Sequence, residues 1–194
     1  MEMDERKRLS RQDWVAAGLA AMRCEGPDAV AVEPLAVALG TTKGSAYWHF
    51  ANRAALLAAV LEAWRGVATA QVIDRVEAAG GSPRERLHHL LVESTPQAQT
   101  AAAELLVMGN ADPTVRSSVE QVTEQRITYV AALIEQGGVP SAEARTRAVL
   151  VYSAYLGGIT LTVAAPDALA RVSQHRMREV VLDLALPPPP IPEP

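Results

Sequence analysis

Between Gly40 and Phe50 the chain reads GTTKGSAYWHF, and Thr42, Lys43, Ser45, Tyr47 and His49 place hydroxyl, ammonium, phenol and imidazole donors on a stretch about two helical turns long. So polar a segment is not built for a core. Donors of that kind, presented from the start of a short helix, suit phosphate oxygens and base edges in the major groove of a duplex. Taken singly, Lys43, Ser45 and Arg53 are what any solvated helix face carries. Their placement gives them meaning. Ala36 and Gly40 lie four residues apart, a small residue where helices approach closely and then one that accepts positive φ where a helix ends. Phe50, the only phenylalanine, follows the polar run and is expected to pin it to a core.

A second group of residues could bind metal. Glu85 and His88 have the Glu-x-x-His spacing of di-iron bundles, and His89 with Glu93 forms an i, i+4 pair. A dinuclear site needs a second such motif and two further glutamates, but neither His49 nor His175 has a Glu three residues before it. Glu85 also has a simpler role as the acid of a capping box, Ser82-Pro83-Arg84-Glu85. Neither a Walker-type glycine loop nor a Gly-x-Ser-x-Gly elbow occurs. The expectation is a protein that is not an enzyme, with no catalytic residues, no cofactor and no metal.

The elements that must position these residues read as helices. Apolar residues make up 49% of the 194, but aromatics only 4%; the balance, rich in alanine, favours an all-α fold. About nine helices are expected. The first runs from a cap at Ser10 to about Cys24 with Trp14, Val15, Leu19 and Met22 inward, the second over about Val32–Leu39, and the third over about Thr42–His49, capped by the Thr42 hydroxyl. Asn52 caps a fourth, whose stripe of Leu56, Val60, Trp64, Val67 and Ile73 runs on to about Ala79 before Gly80-Gly81. The fifth begins at the Ser82 box and is interrupted at Pro96. The sixth covers about Thr100–Met108, the seventh runs from Pro113 to Gln136, the eighth starts at Ser141, and the ninth starts at Asp167 with Leu169, Val172, Val180, Val181 and Leu184 as its stripe. The tail PPPPIPEP reads as extended or disordered.

Charge is uneven. The net charge is −4, which argues against a general nucleic-acid coat. From Arg6 to Arg53, however, Arg6, Lys7, Arg8, Arg11, Arg23, Lys43 and Arg53 outnumber Asp13, Glu25, Asp28 and Glu33, leaving a modest basic patch ahead of an acidic body. Cys24 is the sole cysteine, so no intrachain disulfide or cysteine cluster can form, and a reducing cytoplasm is expected. The opening MEMDERKRLSRQDW does not read as a secretory signal. Ala148–Pro166 is uncharged, but Ser153, Thr160, Thr162 and Gly157-Gly158 suit an interior or interface helix better than a membrane span.

The run Tyr47-Trp48-His49-Phe50, followed by Arg53 and Leu56-Leu57, resembles the signature of TetR-type transcriptional repressors: Tyr, any residue, His or Tyr, Phe, a basic residue and a leucine pair. The likeness begins near Leu9, where LSRQDWVAAGLAAMRCEG resembles the family's first helix, and fades after about Trp64, covering the first third of the chain. Two positions depart from the pattern. Ala31 replaces the usual Thr or Ser before the second helix, removing a cap and a phosphate contact, while Pro34 at about the third helical position is tolerated. Ala46 replaces a larger apolar residue in the third helix, at about 0.8 kcal/mol per lost methylene.

The resemblance implies a helix-turn-helix DNA-binding domain over residues 1–52, a helical effector-binding and dimerisation domain over 53–186, and a tail over 187–194. It further implies a homodimer on double-stranded, palindromic operator DNA, with readers roughly 34–36 Å apart, released by a small-molecule effector that tilts the fourth helix. Thr42, Lys43 and Ser45 would then meet bases and nearby phosphates, Tyr47, Trp48 and His49 the backbone, and Arg53 a phosphate. Trp64, His89, Glu93, Met108, Tyr129 and Tyr152 have the mixed character of a pocket lining, though each also suits ordinary packing. Tyr155, Gly157, Gly158, Ile159, Val172 and Val180 fit either a dimer seam or the inside of one subunit; the resemblance favours the seam. The rival reading is a helical protein-interaction or metal-binding module that does not bind DNA.

Overall fold

Ser10 begins the first helix with a reciprocal cap: its hydroxyl accepts the Asp13 N–H at 3.2 Å, and the Asp13 carboxylate accepts the Ser10 N–H at 2.7 Å. In the computed structural model, which describes residues 9–95 and 98–186, every regular element is helical. The expected reader comprises α1 (Arg11–Glu25), a 3-10 turn (Pro27–Ala29), α2 (Val32–Ala38) and α3 (Lys43–Tyr47). A rod follows, α4 (Arg53–Arg65) running through a π-helical turn (Gly66–Ala70) into α5 (Gln71–Ala79). The body is completed by α6 (Pro83–Glu93), α7 (Ala98–Met108), the hairpin of α8 (Pro113–Gln136) and α9 (Ser141–Ala164), α10 (Pro166–Ala170) and α11 (Gln174–Ala185).

The boundary signals in the sequence act as expected at most helix ends. The Asn52 side chain accepts the Ala55 N–H at 2.9 Å, Asp112 accepts that of Thr114 at 2.8 Å, and Ser82 with Glu85 closes the second capping box. The Ser82 N–H and hydroxyl also hold the Glu85 carboxyl below the usual carboxylate range. Gly40, at φ 62°, ends α2 by sending its N–H to Val37 O while Thr41 N–H reaches Ala36 O, a paired closure that left-handed backbone makes possible. Pro96 and the tail PPPPIPEP lie outside the described residues.

Three expectations need correction. Thr42 occupies the N-cap position of α3, but its hydroxyl accepts no helix N–H and stays exposed. The fourth helix does not keep one register: the π turn inserts extra backbone, so Thr69 within it and Val76 beyond it are buried while Val67 is 43% exposed. The ninth helix is two, because the chain turns at Arg171–Val172 and Ser173 caps α11 through the Arg176 N–H. The sixth starts slightly earlier than its expected Thr100, at Ala98.

One core crosses the expected division at residues 52–53. Trp14, Met22, Leu35, Ala46 and Phe50 of the reader pack in the same cluster as Leu57, Val60 and Trp64 of α4 and Val107, Val115 and Val122 of the body. The cluster of Leu87, Ile134, Ala144, Ala148 and Leu182 holds α6, α8, α9 and α11 together. Gly18 sets the spacing of α1 on α4, since a Cβ there would lie 2.5 Å from Val60 Cγ2. Gly18→Ala gains about 1 kcal/mol of helix propensity but overpacks a stiff, buried valine at about 1–3 kcal/mol. Urea unfolding should show the variant less stable than the parent; in a Val60→Ala background the same change should stabilise.

Candidate nucleic-acid interface and internal cavity

The third helix is held from behind and open in front. Ala46 and Phe50 are buried against the core, whereas Thr42, Lys43, Tyr47 and Trp48 are exposed, Trp48 at 80%. Ser45 is half-buried at the edge of the same face. Five residues of helix suffice because the Gly40 closure and Phe50 fix both ends. Arg11 of α1 lies 5.0 Å above the Phe50 ring, a cation on an aromatic face that brings a further positive charge next to α3. Sequence reasoning did not single out Arg11 individually, because nothing local reveals that α1 starts beside Phe50.

Two of the expected contact residues are already engaged. His49 is half-buried, and its Nε2–H donates to the Leu9 carbonyl at 3.0 Å, tying the segment ahead of α1 to the end of α3. Arg53, exposed at the first position of α4, reaches the Pro27 carbonyl at 3.3 Å. Both therefore brace the reader as well as bordering its outer face. Among the described residues Lys43 and Tyr47 have no such engagement, and both protrude.

Behind the reader lies a cavity of about 800 Å³ enclosed by the rod, α6 to α11 and the end of α1, where Leu19, Met22 and Arg23 reach its wall. Of the expected lining residues, Trp64, Glu93, Tyr129 and Tyr152 are on the wall. His89 and Met108 are not: His89 lies 3.7 Å from Glu93 on α6, and Met108 is half-buried where α7 ends. Among the described residues no cluster of three His, Cys, Asp or Glu could hold a metal. His88 instead faces Glu179 at 3.6 Å.

Much of the wall polarity is concentrated in a network that sequence reasoning missed. Arg126 of α8 donates to Glu104 Oε1 at 2.7 Å, to the Thr69 hydroxyl at 3.1 Å and to the Ala68 carbonyl at 3.0 Å, the last two within the π turn. Tyr155 of α9 donates its phenol to the other Glu104 oxygen at 2.8 Å and stacks on Tyr152 with centroids 5.8 Å apart. Burial works against the Arg126 charge, but Tyr155 and Glu104 outweigh it and its pKa rises. Burial foremost also raises the Tyr155 pKa, so the phenol stays a donor at neutral pH. The available signal was Glu104 itself, the lone charge in the alanine-rich α7.

The residues expected at a seam or inside one subunit divide between the two places. Ile159 is fully buried inside the chain, and Tyr155, Gly158 and Val172 line the cavity, Val172 with 48% of its surface still exposed. Gly157 and Val180 lie on the outside, in company with Val149, Leu150, Leu161 and Leu184, which are all 41% exposed or more. These residues recur at helical spacing on α9 and α11 and leave a bare apolar face. By length and hydropathy α9 and the Arg53–Ala79 rod could each cross a membrane, yet the inner side of each packs in the cores described above.

Comparison with known proteins agrees with this architecture. Residues 15–60 match the sequence model of the bacterial regulatory proteins of the tetR family. No curated protein matches the chain. Among solved structures, a TetR-family transcriptional regulator from Cytophaga hutchinsonii shares the fold with a TM-score of 0.74 at 16% identity, over 95% of this chain and 96% of that one. NemR of E. coli in its reduced form is similar at a TM-score of 0.67 and 18% identity, over 90% and 94% of the two chains. A protein of Saccharomonospora viridis assigned as a transcriptional regulator, in complex with choline, is similar at 0.72 and 18%, over 89% and 93%.

The Arg126 network makes a testable claim about stability. Removing one partner of a buried ion pair strands the other, at a cost of about 3 kcal/mol or more, whereas replacing both with apolar groups is far cheaper. Arg126→Met should lower unfolding free energy by that amount, and Arg126→Met with Glu104→Leu should recover most of it in denaturant titrations. Equal losses for the single and double variants would show that the pair is not coupled.

Proposed function

We propose that this chain is a DNA-binding transcriptional regulator, acting as a repressor that binds a palindromic operator as a homodimer and is released by a small molecule in its cavity. One observation carries the reading: Lys43, Tyr47 and Trp48 protrude together from a helix whose other side, Ala46 and Phe50, is locked into the core. Such a helix can enter a major groove without deforming, its first residues toward bases and its aromatic and basic neighbours toward phosphates. Thr42, with its hydroxyl not spent on capping, adds a donor at the helix start.

The exposed stripe of α9 and α11 supplies the second half of the mechanism. Two copies joined through Val149, Leu150, Gly157, Leu161, Val180 and Leu184 would bury apolar area that one copy leaves in water. Gly157 has nothing within 4 Å of where a Cβ would sit, so a partner backbone can come close there. Two readers held at fixed separation select a palindrome, and each basic patch needs only modest strength. A regulator of this kind works in the cytoplasm.

Release follows from the cavity's position. Its wall includes Leu19, Met22 and Arg23 of α1, Trp64 of α4 and Val67 of the π turn that continues it, along the two helices that carry the reader. A molecule that fits only one arrangement of these helices favours that arrangement by its differential affinity, and lowers DNA affinity if the reader spacing then mismatches the half-sites. The solved neighbour with choline is a relative by fold with a small molecule bound; the proposal gives the present cavity the same kind of role.

Lys43→Ala and Tyr47→Ala should each weaken binding to a selected operator by about 1–3 kcal/mol, with helical signal and dimerisation unchanged. Gel shifts indistinguishable from the parent for both variants would remove the assigned face. Affinity should also fall steeply with salt, as counterions are released from contacted phosphates. Leu150→Glu should shift the dimer to monomer in sedimentation and weaken operator binding with it, while selection from random duplexes with the parent should return a palindrome; an interaction or metal module would return none.

A further inference from the structure

Resting on the reading of the cavity as an effector site, we propose that its ligand is an apolar molecule carrying a single carboxylate, which pairs with Arg178 of α11. The charges on the wall decide this. Glu104 is satisfied by Arg126 and Tyr155, and Glu93 accepts two hydrogen bonds from Arg75, at 3.1 and 2.9 Å. Neither carboxylate is left to attract a cation. Arg126 is likewise neutralised by Glu104.

Two wall cations have no carboxylate partner among the described residues, Arg23 and Arg178. Arg23 is exposed at the end of α1 and can be left to water. Arg178 differs. Its Nη1 donates to the Thr95 hydroxyl at 3.3 Å, its Nε is sealed from solvent with no hydrogen-bond partner among the described residues, and the side chain as a whole is half-buried. A charge so placed is costly without a carboxylate to meet it, and the terminal Nη side of the planar group is a fork of donors that receives a carboxylate in two parallel bonds.

The rest of the wall selects the body of the ligand. Val72, Leu91, Val107, Val130, Leu169 and Val181 offer hydrocarbon, and about 800 Å³ lies at the upper part of the range for drug-sized ligands. A quaternary ammonium finds a poorer site, because Tyr155 already has the Arg126 guanidinium 5.5 Å from its ring and Tyr152 stacked beside it. An uncharged alcohol of equal length would bury the same hydrocarbon but leave the Arg178 donor unmatched in charge.

Dodecanoate, dodecan-1-ol and dodecyltrimethylammonium, each below its micellar concentration, test this by calorimetric titration into the full chain without DNA. Dodecanoate should bind about tenfold or more tightly than the alcohol, the range expected of hydrogen bonds to charged groups, and the ammonium should bind weakest. Arg178→Gln should bring acid and alcohol within threefold of each other, while Arg178→Lys keeps part of the preference; circular dichroism checks that both variants fold. Equal affinity for all three probes, binding of none, tightest binding of the ammonium, or an unchanged preference in Arg178→Gln overturns the proposal. Operator release is measured separately: carboxylate binding without release leaves the ligand class standing and removes the effector role.

Discussion

Arg126 is the side chain on which the body depends. A guanidinium removed from water costs several kcal/mol unless its donors and charge are met, and here they are met by two different elements: Glu104 of α7, and Thr69 and Ala68 of the π turn. Tyr155 of α9 closes the set through Glu104. One residue of α8 thereby fixes the relative placement of four neighbours. The interruption in the rod is part of this arrangement, since it is the turn at which α4 and α5 exchange register that receives the arginine.

Packing is continuous from the cavity wall to the reader. Gly18 brings α1 against Val60 of α4, and Gly26 lies so close to α7 that a Cβ would stand 3.1 Å from Leu106 Cβ. The cavity wall borrows Leu19 and Met22 from the first of these helices and Trp64 from the second. Packed interiors do not deform continuously; they shift between discrete arrangements. Under the proposed function, filling or emptying the space behind α1 and α4 would change where α3 points.

Features that depend on neighbours in sequence were legible: the caps at Ser10, Asn52, Ser82 and Asp112, the turn at Gly40 and the inward Phe50 all follow from local backbone chemistry. The polar face of α3 was legible for the same reason, its residues being consecutive. Misreadings arose where a distant partner decides. His49 looked like a free donor because nothing near it in sequence announces Leu9 as its acceptor. Tyr155 and Ile159 could be read either at a seam or inside one subunit because α9 is uncharged on every side beyond Arg147, and only the packing of α7 and α8 tells its inner side from its outer. The stripe of the rod was carried one turn too far because a π turn leaves no mark in an alanine-rich composition.

Sequence alone thus determined that the chain is helical, where most helices start and stop, and that a donor-rich helix follows a glycine turn, because these are settled within a few residues by capping, propensity and periodicity. Tertiary structure decided which polar groups are spent and which are left over. Arg126 and Arg178 are the same residue type on apolar-striped helices, yet among the described residues one meets Glu104 and the other only Thr95. Whether a buried charge is neutralised depends on what the fold brings across space, and no local pattern encodes that.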